Sequence, residues 1–335
     1  MSGSDPLVSV ILPVFNGRET LVEALKSIQR QTYSDFECVV FDDGSTDDSA
    51  RLVEKLSQDD ARFVLVKSDH VGLVPALNEA VEYSKGSLLA RMDADDVAYP
   101  NRLELQVEAL EGNSDWAMVG GRVKMIGENI GSGRRRYENW LNECFTPERI
   151  GLEMFIECAL AHPTWMVRRD VFDSLGGYRV NDWPEDYDFI LRLNESGCRL
   201  GKVEDVILDW REHEERFSMK DERYSLAQFR SIKRHFLLRT VLAEKKHFWQ
   251  WGAGDVGKAW LREWGECLPE AVVDLHPGKI GKQIHGVLVI RPEDLPAPAD
   301  CFFLVAVGAP GAREEIRAWA NENGYEEGSH YLFVA

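Results

Sequence analysis

At 335 residues, with 44% hydrophobic and 29% charged side chains, the chain has ordinary globular composition and length enough for two domains. A formal net charge of −18 lacks the basic footprint of a nucleic-acid surface, which argues against nucleic acid as a partner. Six cysteines (Cys38, Cys144, Cys158, Cys198, Cys267, Cys301) without C-x-x-C spacing argue against a zinc site or disulfide scaffold, and neither a leader pattern nor a run of roughly 20 apolar residues is read, so the expectation is a cytoplasmic protein, at most peripheral to the inner face of a membrane.

Val8 to Val14 is β-branched and apolar, and Asn16-Gly17-Arg18 then opens a helical pattern through Leu21, Ala24, Leu25 and Ile28. Phe36 to Phe41 reads as a second strand. It ends in Asp42-Asp43-Gly44-Ser45-Thr46-Asp47, ahead of a helix marked by Ala50, Leu52, Val53 and Leu56 that Ser45, Thr46 or Asp47 would cap. Phe63 to Val66 is a third strand, Val71 to Tyr83 a third helix, and Ser87 to Met92 a fourth strand. Strands and helices alternating at this spacing predict a parallel sheet with right-handed crossovers.

The fourth strand stops at Asp93-Ala94-Asp95-Asp96. On an extended backbone Asp93 and Asp95 point the same way and can share a hard divalent cation. The competing reading is an acidic turn that caps the next helix, running from Arg102 through Leu110, and Asp96 fits that role. In a parallel sheet, Asp42-Asp43 and Asp93 to Asp96 would face one crevice beside a glycine-bearing loop, which favours a nucleotide site.

Farther along, Trp116 to Ile126 reads as a strand-pair region, and Gly127 to Arg136 as a flexible loop whose Arg134-Arg135-Arg136 is a solvated run rather than a phosphate clamp. Gly176-Gly177-Tyr178 makes a turn into Glu185-Asp186-Tyr187-Asp188, with Phe189, Ile190, Leu191 and Leu193 continuing at helical spacing. Acids in a first helical turn are favoured without any catalysis.

Together these motifs resemble inverting glycosyltransferases of family 2, which have the GT-A fold. The resemblance is carried by Val8 to Asn16, Gln31-Thr32-Tyr33, Asp42 to Asp47, Asp93-Ala94-Asp95, the stretch His162 to Arg169, Trp183 to Asp188, and Trp210-Arg211-Glu212-His213 with Ser218; it spans residues 8 to about 218, about two thirds of the chain. It implies that the loop around Pro13, Phe15 and Asn16 lies against the nucleotide, and that Asp43 bonds the base, commonly uracil. Asp93 would hold the ribose or the metal shell, Asp95 would ligate Mg²⁺ or Mn²⁺, and His213 would reach the diphosphate or the metal. Asp186 is then the leading candidate for the base that deprotonates the acceptor, with Glu185 second and Asp188 structural.

Residues 221 to 246 change character: a helical stretch, locally basic, expected as a packed connector between domains rather than a membrane-resting helix. Phe248 to Lys258 follows as strand, Gly-x-Gly-x-x-Gly and helix, with Gly252, Gly254 and Gly257 as the glycines. Val272 to Leu275 is a strand that sets Asp274 where an acid for ribose hydroxyls is expected, and Cys301 to Val307 is a later buried strand.

The expected fold is α/β: a GT-A nucleotide-binding domain over residues 1–220 with a mixed, mainly parallel sheet, a helical connector over 221–246, and a small Rossmann-like α/β domain over 247–335. The implied activity is metal-dependent, inverting transfer of a hexosyl group from a nucleotide sugar, a UDP-sugar, to a saccharide or glycolipid acceptor in polysaccharide or glycolipid synthesis. Two other classes compete. One is an NAD(P)-linked oxidoreductase built on the C-terminal domain; the other is a non-catalytic nucleotide-sensing module.

Overall fold

The computed structural model describes residues 6–128, 130–213 and 221–335; Ser218 lies outside the described residues. The chain divides into two compact units, residues 1–151 with 159–221, and residues 152–158 with 222–335.

The first unit is built on an eight-stranded sheet. Its strands are β1 (Val8–Val14), β2 (Phe36–Asp43), β3 (Phe63–Ser68), β4 (Leu88–Arg91), β5 (Val97–Ala98), β6 (Trp116–Ile126), β7 (Met166–Arg168) and β8 (Arg199–Arg211), in the order β3-β2-β1-β4-β7-β6-β8-β5. β1 lies parallel to both β2 and β4, with Val14 opposite Asp42 and Ile11 opposite Arg91. The antiparallel pairing of β7 with β4 and β6 makes the sheet mixed. Chain order runs outward from β1 through β2 and β3 and then returns to β4 on the other side. That reversal opens a crevice at the carboxyl ends of β1 and β4.

Helices α1 (Leu21–Gln29), α2 (Ser49–Asp59), α3 (Leu73–Glu82), α4 (Arg102–Gly112), α5 (Ser132–Glu143), α6 (Pro147–Glu153), α7 (Arg169–Ser174) and α8 (Glu185–Glu195) connect these strands. In α1, Leu21, Ala24, Leu25 and Ile28 are buried, the stripe that the 3.6-residue period demands, and they join Val8, Val10 and Leu12 of β1 in the core.

Several details differ from expectation. Trp116 to Ile126 is one continuous strand rather than a pair, because β6 runs along β8 through irregular register at Gly121 and Arg122. The N-cap of α2 is Asp48, although Asp47 Oδ1 does accept the Ser49 N–H at 2.9 Å. The span read as a flexible loop with solvated arginines contains most of the first turn of α5. There Arg135 donates to the Met125 carbonyl and pairs with Glu138, while Arg134 pairs with Glu212 and lies over the rings of Tyr137 and Trp210. Arginine is a good helix former and its guanidinium stacks well on aromatic faces, so Arg134 belongs to packing, while Arg135 and Arg136 are exposed as a solvated run would be.

The second unit begins with α9 (Leu226–Arg239), capped by the Ser225 side chain, and its Ile232, Phe236 and Leu237 are buried. The helix read over 221–246 therefore lies within this unit and stops at Arg239. A six-stranded sheet follows: β9 (Trp249–Trp251), β10 (Val272–Val273), β11 (Gln283–Ile284), β12 (Val287–Ile290), β13 (Phe303–Val305) and β14 (Tyr331–Phe333), ordered β11-β12-β10-β9-β13-β14. Only β11 is antiparallel, and helices α10 (Asp255–Trp264) and α11 (Ala312–Glu322) link β9 to β10 and β13 to β14. Residues 152–158 are held in this unit by Glu153, paired with Arg317 at 2.8 Å, and by the Ile156 carbonyl, which accepts from the buried Lys233 ammonium at 2.6 Å. Among the described residues, no helix is long and apolar enough to cross a membrane.

Candidate functional site

The crevice is framed first by two loops laced together. Asn16, with a left-handed φ of 51°, accepts the Thr46 N–H on Oδ1 at 2.8 Å and donates its own backbone N–H to Ser45 Oγ at 2.9 Å. Arg18 N–H reaches Asp47 at 3.1 Å. Asn16 thus spends its side chain on joining the loop after β1 to the loop after β2. Pro13 lies inside β1, and Phe15 emerges beyond it, 48% exposed, stacked on His70 at 4.2 Å.

His70 escaped the sequence reading because it lies in the loop after β3, far from every motif. Its Nδ1 is 2.9 Å from Asp43 Oδ2. Asp43 is buried and also accepts the backbone N–H groups of Val71 (2.6 Å) and Gly72 (3.0 Å). Asp43 therefore anchors the His70 loop, and through it the Phe15–His70 stack at the rim.

The acidic turn is gathered by a mechanism different from the one expected. The strand ends at Arg91, and Ala94-Asp95 form a turn, so alternation along an extended chain does not align the acids. The turn instead brings carboxylate oxygens of Asp93, Asp95 and Asp96 within 4.8 Å of one another. Each is held by a different donor. Asp93 is paired with the buried Arg91 at 2.6 Å, and Asp95 Oδ2 accepts from His213 Nε2 at 2.8 Å. Asp96 accepts the Arg211 backbone N–H at 2.8 Å, while the Arg211 guanidinium donates to the Asp95 carbonyl at 2.7 Å.

Asp96 does not cap α4, whose N-cap is Asn101; the short strand β5 intervenes and turns Asp96 back toward β8. Beneath the turn, Arg102 is 1% exposed and donates to the Arg91 carbonyl at 2.6 Å, with burial pushing its guanidinium down to about 10. Burial, then the neighbouring Asp93 charge, pushes the Asp95 carboxyl above its ordinary range, and His213 opposes that shift. Three carboxylates at close quarters, one of them with a raised carboxyl, form a group that could hold a cation.

On the far side stands α8. Glu185 is 1% exposed, and Asp186, half-buried beside it in the first turn, accepts the Tyr187 N–H at 2.7 Å. Asp188 is buried against Arg192 at 2.8 Å, and Arg192 in turn donates to the carbonyls of Leu175 and Gly177. Asp188 thereby fixes the turn that precedes the helix. Gly177 needs its left-handed φ of 65° there, and a Cβ would stand 2.8 Å from Asn78 Oδ1, the atom that accepts the Tyr178 N–H. The electrostatic surroundings of Tyr178 include Arg91, Glu185, Asp186 and Asp93, so the acidic turn and the first turn of α8 share one neighbourhood.

In the second unit, Gly252, with φ 117°, and Gly254 form the turn after β9. Gly257 sits where a Cβ would approach the Gly252 carbonyl oxygen to 1.9 Å. Asp274 accepts the Ala253 N–H at 3.0 Å, the His276 N–H at 2.8 Å and the Lys279 ammonium at 2.9 Å; despite partial burial, these contacts hold its carboxyl below the ordinary range.

Comparison with known proteins gives this geometry its context. The family described as Glycosyl transferase family 2 matches residues 9–176. The O-antigen biosynthesis glycosyltransferase WbnJ of Escherichia coli is 33% identical over 212 residues, 62% of this chain and 80% of that protein. Among solved structures, S. aureus TarS 1-349 in complex with UDP-GlcNAc superposes with a TM-score of 0.55 at 18% identity, over 78% of this chain and 82% of that one. The mannosyltransferase PcManGT from Pyrobaculum calidifontis, in complex with GDP-Man and Mn²⁺, gives a TM-score of 0.50 at 21% identity over 70% of this chain and 63% of that one. At these identities the structures establish a shared fold.

Proposed function

The chain belongs to glycosyltransferase family 2, and on that premise we propose that it is an inverting hexosyltransferase, moving a sugar from a uridine diphosphate donor to a hydroxyl of a saccharide or glycolipid acceptor. The observation that carries this reading is the turn at Asp93, Asp95 and Asp96, where three carboxylates converge within 4.8 Å and burial with the Asp93 charge raises the Asp95 carboxyl.

That donor set fits Mn²⁺ or Mg²⁺, hard ions that take oxygen ligands from one or two carboxylates and complete their shells with diphosphate oxygens. Asp95 and Asp93 would hold the ion, with His213 beside Asp95 as a further ligand or as the group that orients it. When bound, such an ion supplies Lewis-acid stabilisation of the charge that builds on the leaving diphosphate. Arg91, paired with Asp93, and Arg102, which donates to the Arg91 carbonyl, hold the turn in place from below. Asp43, through Val71, Gly72 and His70, sets the rim on which a base would lie against Phe15. The UDP assignment is supported by the UDP-GlcNAc complex of the similar fold; that the other neighbour holds GDP-Man makes the base a question for experiment.

Asp186 takes the proton from the acceptor hydroxyl as that oxygen attacks the anomeric carbon from the face opposite the diphosphate. The bond from the anomeric carbon to the phosphate oxygen breaks, and configuration inverts. Glu185, buried behind Asp186, steadies the turn. In Asp186→Asn, transfer falls by roughly 10²–10⁴-fold, the range of a general base, while donor affinity stays near that of wild type. Radiolabelled transfer together with donor titration checks this, and near-normal turnover would remove Asp186 from the role.

A further inference from the structure

The site contains one more polar cluster, the buried set His162, Tyr178, Arg91 and Glu185, of which His162 and Tyr178 have no part in donor binding and proton transfer as described. His162 begins a short 3-10 turn, His162–Thr164, just before β7. Its side chain is 10% exposed, and its ring packs 4.5 Å from that of Trp165. Trp165 is itself pinned by its indole N–H to the Leu160 carbonyl at 3.1 Å, so the imidazole has little freedom. Nε2 lies 2.8 Å from the Tyr178 hydroxyl, and Nδ1 lies 3.9 Å from Glu185 Oε1. Tyr178 is in turn fixed by Asn78, which accepts its backbone N–H and donates to its carbonyl.

Two shifts define where the protons are. Burial, then the nearby Arg91 charge, drives the His162 pKa well down, so the ring is neutral and carries one N–H. Burial pushes the Tyr178 phenol up, so it remains a hydroxyl able to donate. If that hydroxyl donates to Nε2, the single ring proton sits on Nδ1 and faces the Glu185 carboxylate. The other tautomer would aim a lone pair at the same carboxylate, which is repulsive. Arg91 on β4, Tyr178 on the loop before α8 and Glu185 on α8 are the ionisable groups that interact with this ring.

We propose that His162 is a positioning residue for the transfer step: as the Nδ1-protonated tautomer selected by Tyr178, it holds the Glu185 carboxylate and so sets the first turn of α8, which carries Asp186. The inference rests on the reading of Asp186 as the base. At 3.9 Å the contact to Glu185 is electrostatic rather than a hydrogen bond. The helix N-terminus adds a second source of positive potential but does not specify the orientation of the carboxyl group.

Two substitutions separate the ring nitrogens. Asparagine puts an amide N–H near the position of Nδ1 and keeps the donor to Glu185, whereas glutamine reaches the position of Nε2 and keeps a partner for Tyr178 while losing that donor. In His162→Gln, kcat falls by about 10- to 100-fold, as for other groups that orient a reacting residue, with donor KM changed by no more than about 3-fold; His162→Asn recovers most of the loss. A long-range ¹H–¹⁵N spectrum of the wild-type protein shows His162 protonated on Nδ1, and Tyr178→Phe removes that preference. Wild-type kcat in His162→Gln, or an Nε2-protonated ring in the wild type, overturns the inference. If Asp186→Asn is inactive while His162→Gln turns over normally, the base assignment stands and this inference alone falls; an active Asp186→Asn removes both, beginning with the base.

Discussion

Each unit ends a parallel strand in a glycine-bearing loop with an acid beside it, and the two places treat that acid in opposite ways. At the end of β4, Asp95 is partly desolvated and crowded by Asp93, so its carboxyl rises although the His213 contact opposes the shift. At the end of β10, Asp274 accepts two backbone N–H groups and a lysine ammonium, and its carboxyl falls. Under the proposed function the first arrangement takes a cation from outside. The second is completed by donors of its own unit, and Gly257 there serves close packing, as the 1.9 Å approach of a Cβ to the Gly252 carbonyl demonstrates. Similar motifs therefore carry different meanings, and the distribution of charge around the acid separates them.

The packing half of this contrast can be broken at Gly257. A Cβ there must displace the Gly252 carbonyl, which is backbone and cannot rotate away. Gly257→Ala therefore destabilises the protein by about 3 kcal/mol, in the upper range for overpacking, while UDP affinity in the first unit is unchanged. Urea unfolding and nucleotide titration read the two outcomes separately. Loss of UDP binding in a folded Gly257→Ala protein would show that the C-terminal loop takes part in donor recognition.

A smaller effect sharpens the contrast in how the units carry buried charge. Arg102 stays protonated under the acidic turn, but Lys233, 7% exposed, is pushed down to about 8, chiefly by burial. Between about pH 8 and its ordinary value of 10.5, the unfolded chain holds the lysine proton and the folded one releases it, so stability rises with pH across that window and not below it. From about pH 7.5 to about pH 9.5 the contribution is on the order of 1–2 kcal/mol, and Lys233→Met abolishes it. Urea unfolding at the two pH values compares the variant with wild type; an equal rise in both would assign the effect to another group.

Much of the architecture is legible in local pattern. The continuous apolar runs at Val8 to Val14 and Phe36 to Phe41 are dictated by burial on both faces of parallel strands and the stripe of α1 by the 3.6-residue period, and the abrupt change from apolar to acidic residues marks the strand ends. What escapes the sequence is contact between distant positions. Asp96 meets the Arg211 backbone across 115 residues, which no cap rule anticipates, and His70 reaches Asp43 from a loop with no motif of its own. Arg91 and Arg102 read as ordinary flanking residues until the fold buries both under the acidic turn. Extended alternation predicted that Asp93 and Asp95 share a face, yet the chain achieves their proximity by turning. Of the arginines at 134–136, Arg134 misled in the other direction, because composition alone does not reveal the aromatic rings of Tyr137 and Trp210 beneath it.

The central claim is that the clustered acids at the end of β4 bind a divalent ion and a nucleoside diphosphate together. Calorimetric titration with UDP, with and without Mn²⁺, tests it most directly in the wild type, Asp95→Asn and Asp274→Asn. The account predicts UDP binding that requires Mn²⁺ in the wild type, is weakened by about 10- to 100-fold or more in Asp95→Asn, and is unchanged in Asp274→Asn. UDP binding that is indifferent to both Mn²⁺ and Asp95→Asn, or that is lost in Asp274→Asn, would contradict it.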